Sequence, residues 1–160
     1  MSNGNTAFQV PKDRQSVVVR LTQGAVLEGE IFLESMAEGL STHQKVTAFL
    51  ENSLAFFPIK VSPDGKTEFI NKQKVRTVEV AVTAAPETDY FEHLLMHTIP
   101  VTTFFGAAES ISGELMAEAP QEKARLSDCL NMPNTFLCVR TASMICYINK
   151  ESLQKVVYKA

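Results

Sequence analysis

Leu27-Glu28-Gly29-Glu30-Ile31 is answered 84 residues later by Ile111-Ser112-Gly113-Glu114-Leu115. The match does not stand alone. Val46-Thr47 and Leu50 return 80 residues on, as Leu126-Ser127 and Leu130. In that same register Phe56-Phe57-Pro58-Ile59-Lys60 returns as Phe136-Leu137-Cys138-Val139-Arg140. Phe69-Ile70-Asn71-Lys72 returns as Tyr147-Ile148-Asn149-Lys150 at an offset of 78, and Val75 and Val78 then fall on Leu153 and Val156. The blocks keep their order and the offsets only shrink. The lost residues fall where loops are expected, one set at Ser62-Pro63-Asp64-Gly65-Lys66, a hairpin-turn sequence. A repeat whose gaps are confined to turns reads as a tandem duplication of one folding unit. The expected organisation is an N-terminal tail over 1–14, a first copy over 15–82, an acidic linker over 83–96 and a second copy over 97–160.

Each copy reads as strands. Val17-Val18-Val19-Arg20-Leu21 is a β-branched run, and Thr22-Gln23-Gly24 supplies a turn. Val26 to Leu33 follows with Gly29 inside it, and a glycine within a strand predicts a bulge or bend. Gly113 holds the same place in the second copy. Glu34 to Thr47 reads as a polar, irregular excursion, and Phe49-Leu50 as an apolar approach to a hairpin arm at Leu54 to Val61. An Asp-Gly turn returns the chain through Thr67 to Ile70. Asn71 to Lys74 forms a turn, and Val75 to Val80 closes with period-two alternation. The expected fold is all-β, about five strands per copy, with short helical turns.

The order of strand, turn, glycine-bearing strand, hairpin, short turn and last strand resembles that of a small SH3-like barrel. More narrowly it resembles an uncharacterised bacterial domain family of Sm-like type. The second copy carries the resemblance best, in Gly113-Glu114-Leu115, Arg125 to Asn131, Phe136-Leu137-Cys138-Val139 and Asn149-Lys150. It covers about four-fifths of the chain and implies two tandem barrels but no activity. A unit of 65 residues buries little apolar surface, so the copies are expected to pack together. Exposed strand edges also invite pairing with other chains, as in the rings of Sm-like proteins.

The chain has 160 residues and a formal charge of −3, with 45% apolar residues and no Trp. That composition is neither disordered nor collagen-like, and it offers no global positive charge for nucleic acid or anionic lipid. The acidity is concentrated in residues 83–96, which carry −3, so the two copies are close to neutral. The polar start MSNGNTAFQVPKDRQ is no secretory signal, and no apolar run spans a membrane. A cytoplasmic location is expected. Cys129, Cys138 and Cys146 are odd in number and make no CxxC pair, so they read as small buried hydrophobes.

No motif for phosphate, dinucleotide or hydrolase chemistry occurs. His93 and His97 are four apart beside Glu92, without a third ligand, and read as linker or packing residues; no metal is expected. His43 reads as a surface residue. Arg14 and Arg20 do not have the spacing of a cyclic-dinucleotide receptor.

Arg125, Asp128 and Asn131 are the candidate binding loop. Asp128 and Asn131 resemble the nucleobase-binding pair of Sm proteins but lie too far from Gly113. The structural reading is preferred, with Asp128 capping a turn or helix and Asn131 supporting a tight loop. Asn71, Lys72, Asn149 and Lys150 form a repeated turn. The asparagines there are expected to supply a left-handed conformation and the lysines to be solvated or to contact an anion.

No cofactor and no catalytic residue is nominated. The expected role is a non-catalytic assembly or protein-interaction module that takes a protein partner or associates with itself. The alternative is an Sm-like RNA-binding protein, which near-neutral copies disfavour. A small hydrolase or ligand sensor would need a pocket with converging polar groups.

Overall fold

Ten antiparallel strands follow one another in two equal sets. The computed structural model describes residues 12–34, 41–82, 97–106, 108–117 and 125–159. The first set is β1 (Lys12–Leu21), β2 (Val26–Glu34), helix α1 (Thr42–Glu51), β3 (Phe56–Val61), β4 (Lys66–Asn71), a 3₁₀ turn at Lys72–Lys74, and β5 (Val75–Ala81). The second is β6 (His97–Phe104), β7 (Ser110–Ala117), helix α2 (Leu126–Leu130), β8 (Phe136–Arg140), β9 (Met144–Asn149), a 3₁₀ turn at Lys150–Ser152, and β10 (Lys155–Tyr158). The protein is mainly β. No helix among the described residues is long and apolar enough to cross a membrane.

All ten strands lie in one sheet, ordered β10-β6-β7-β8-β9-β5-β1-β2-β3-β4. Each set therefore has the same internal order, with its last strand outside its first. Registers agree as well. Val17 faces Gly29 and Val101 faces Gly113; Glu30 faces Lys60 and Glu114 faces Arg140. Phe56 faces Asn71 and Phe136 faces Asn149; Val19 faces Val78 and Thr103 faces Val156. The sets meet where β5 pairs with β9, Val78 opposite Tyr147 and Val80 opposite Ile145.

The sheet is open rather than closed into the expected pair of barrels. Among the described residues β4 and β10 each pair on one side only. The β5–β9 ladder joins the sets into a continuous sheet.

The polar excursion of the first set also differs from expectation. It contains a ten-residue helix, and Phe49-Leu50 lies in its last turn rather than leading into a strand. Ser41 and Gln44 form a reciprocal capping box that starts α1. His43, Val46 and Leu50, at i, i+3 and i+7, face the core.

The glycines of β2 and β7 serve a close approach between strands. Neither has a positive φ. A Cβ on Gly29 would sit against the carbonyl oxygen of Lys60, and one on Gly113 against that of Arg140. Glycine lets β3 and β8 cross at that distance. Gly24 and Gly65 do have positive φ, 98° and 72°, in the two predicted turns.

Two apolar clusters fill the molecule. One belongs to the second set, with Ile99, Val101, Leu115, Val139 and Ile148 at its heart. The other combines the first set (Val17, Val19, Ile31, Val46, Leu50, Phe57) with Met116, Phe136, Cys138, Ile145 and Tyr147 from the second. Fully burying a side chain of this size contributes roughly 1.5–3 kcal/mol. The contact between the sets is thus part of the hydrophobic core.

Candidate functional site

The most informative surface lies at the β4 end of the sheet, and the join explains it. In the join, core residues of the first set pack with Phe136, Cys138, Ile145 and Tyr147 on the β8–β9 face of the second. Phe136 is 5% exposed and Tyr147 2%. His43 of α1 sits over this face, its Nδ1 2.8 Å from the Tyr147 hydroxyl and its ring stacked on the tyrosine at 5.6 Å. Cys138 Sγ lies 3.7 Å from the same nitrogen and 3.7 Å from Met116 Sδ. His43 is therefore buried, not a surface residue. Burial lowers its pKa to about 4, so the ring is neutral at pH 7.

Backbone groups are tied across the join too. The Glu51 carboxylate, at the end of α1, accepts from the N–H groups of Thr135 (2.8 Å) and Phe136 (2.8 Å). Asn149 is 1% exposed, and its Nδ2 donates to the carbonyls of Val75 (2.9 Å) and Lys72 (3.2 Å).

At the other end of the sheet the corresponding face is open. Phe69, the counterpart of Tyr147, is 68% exposed, and Phe56, the counterpart of Phe136, is 51% exposed. Leu54 beside them is also exposed. Pro58 opposes Phe69 across the β3–β4 ladder, so it shares that face. The backbone edge of β4 runs alongside, and no strand among the described residues pairs with it. A half-apolar face next to an unpaired edge is equipped for strand addition.

The repeated turn is structural, for a reason other than the one expected. Asn71 and Asn149 have φ of −73° and −65°, so no left-handed residue is needed. Each caps a 3₁₀ turn, Asn71 Oδ1 accepting from the N–H of Gln73 and Asn149 Oδ1 from that of Glu151, both at 3.0 Å. The lysines are hydrogen-bonded into neighbouring loops. Lys72 is buried, and its Nζ donates to the carbonyl and side-chain oxygens of Asn52 (3.0 and 2.6 Å). Lys150 donates likewise to Met132 O and Asn134 Oδ1 (2.6 and 2.7 Å). Burial lowers the pKa of both, opposed by the nearby Glu51 carboxylate. Both ammonium groups hold the loop that leads from helix to strand.

Arg125, Asp128 and Asn131 lie exposed along α2 and its end. Asp128 is inside the first turn and is not the cap; that position is Arg125, which makes no side-chain cap bond. Asn131 does support the loop, its Nδ2 donating to the Ser127 carbonyl at 2.7 Å. No hydrogen bond or ion pair among the described residues brings the three together.

The three cysteines are buried. Burial raises the pKa of the Cys129 thiol and pushes that of Cys146 up to about 11. His93 lies outside the described residues, and His97 begins β6. Among the described residues no three His, Cys, Asp or Glu side chains are grouped as metal ligands.

A groove on the other side of the join is lined by Arg20, Arg76, Glu79, Phe105 and Glu109. Its charges neutralise one another. Arg20 Nε meets Glu79 at 2.5 Å, and Arg76 pairs with Glu109 while lying 4.1 Å over the Phe105 ring. Of the other N-terminal charges, Asp13 pairs with Lys45 at 3.3 Å and Arg14 is exposed.

No family model, curated protein or solved structure matches this chain.

Proposed function

We propose that the protein is a non-catalytic assembly module, a tandem duplication of an Sm-like unit that binds protein through the β3–β4 end of its sheet. One observation carries this reading. The face bearing Phe56 and Phe69 is exposed, while the equivalent face bearing Phe136 and Tyr147 is buried by protein in the same molecule. A face that is covered in one half of the molecule and left apolar and exposed in the other supports a binding role.

The alternative, binding of single-stranded RNA, has less support. The repeated lysines are engaged with loop carbonyls, and Arg20 and Arg76 are paired with carboxylates. Phosphate contacts supply most non-specific affinity, and these cations are not free to make them.

Site-specific photo-crosslinking in cells separates the readings. A photoreactive phenylalanine at position 69 is expected to yield protein adducts, absent when the probe replaces exposed Lys74. Nuclease-sensitive adducts at position 69 would favour RNA and overturn the proposal.

A further inference from the structure

We infer that the occupant of this face is a second copy of the same chain, which adds its β10 to β4 in the register of the β5–β9 join. The inference rests on the reading that this face binds protein, and it specifies which protein.

The strand order supplies the first argument. Within the molecule β9, the counterpart of β4, pairs with β5, the counterpart of β10. The two strands left at the ends of the sheet are β4 and β10. The described sheet thus carries at its two edges the complementary halves of a contact that it already makes internally.

The register follows from the correspondence. Val78 opposite Tyr147 becomes Val156 opposite Phe69, and Glu79 opposite Cys146 becomes Val157 opposite Glu68. The exposed Phe69 ring is placed where the buried Tyr147 ring sits. Lys155 then stands diagonally across from Glu68, within reach of an ion pair.

Hydrogen-bonding groups supply the second argument. Asn149 uses Oδ1 to cap its turn and Nδ2 to hold two carbonyls across the join. Asn71 uses Oδ1 in the same way, and its Nδ2 has no partner among the described residues. The equivalent acceptors are the carbonyls of Lys150 and Leu153 in the second copy. Asn131 occupies the position of Glu51. Its Nδ2 is engaged with Ser127, which leaves Oδ1 to accept from the N–H groups of Ala55 and Phe56.

The contact is weaker than the internal join. It places Lys66 opposite Lys159, a like-charged rung where the join has Met144 opposite Ala81. The association is therefore concentration-dependent. It is also head-to-tail, so copies close into a ring or extend as a filament.

The test is disulfide trapping. Directly opposed residues of an antiparallel pair have Cα atoms about 4.5–5.5 Å apart, within disulfide range. Chains bearing Glu68→Cys are mixed with chains bearing Val157→Cys and mildly oxidised. Both positions are exposed, so the substitutions leave the core intact, and the native cysteines are buried. The cross-linked heterodimer is expected in several-fold excess over that formed by Glu68→Cys with Tyr158→Cys, which points to the other face. Equal yields, or homodimers alone, would overturn the inference. If position 69 meanwhile crosslinks only to a different protein, the interaction module stands and the second copy does not.

Discussion

His43 is the residue on which the two halves turn. It leaves α1 to stack on Tyr147 of β9, and burial there keeps it neutral. The unfolded chain protonates this ring near the ordinary 6.5, the folded one only near 4. Between those values the unfolded state binds the extra proton, so stability is present above pH 6.5 and is lost as pH falls toward 4. The slope is about 1.4 kcal/mol per pH unit, about 3 kcal/mol over the window. His43→Gln cannot take up that proton. Urea unfolding at pH 7 and at pH 4.5 is expected to show a smaller acid-side loss for the variant than for the parent. Parallel losses would place the titration elsewhere. Asn149 and Asn71 make the complementary point. Identical residues cap identical turns, and only the one at the join is buried.

At the scale of elements, the strands were legible because β-branched residues and period-two alternation are local signals. The Gly-Glu block and the Asn-Lys turn were legible as matching blocks, and they fall at matching places in the two sets of strands. The close approach that needs the glycines was not legible. Gly29 and Gly113 serve the close approach of β3 and β8, which no single strand records. A Cβ there must displace backbone, so Gly29→Ala and Gly113→Ala are each expected to destabilise by about 1–3 kcal/mol. Chemical denaturation of both variants checks this, and an unchanged midpoint would show that the crossing strand has room to move. Helix α1 was missed although Ser41 and Gln44 announce its start, because His43, Val46 and Leu50 were read among polar neighbours. The site escaped for a different reason. Phe56 and Phe136 look alike in sequence, and only the β5–β9 pairing, between residues some 70 apart, decides which is covered. Lys72 and Lys150 look like surface lysines until the loop carbonyls they hold are seen.

The whole molecule is a ten-stranded sheet with unlike, complementary ends. A short edge strand bordered by lysines, such as β10, is a device that blunts promiscuous pairing. Here it leaves one partner that fits, the β4 edge with its aromatic face. Near-neutral halves mean that this fit depends on shape and apolar area, with little long-range steering. The most direct test is the molar mass in solution, measured by light scattering across a hundredfold range of protein concentration. The parent chain is predicted to rise from 17.7 kDa toward multiples of it, and Phe69→Asp, which charges the exposed face without touching the join, to stay at the monomer value. A parent that remains monomeric at the highest concentration would contradict head-to-tail self-assembly.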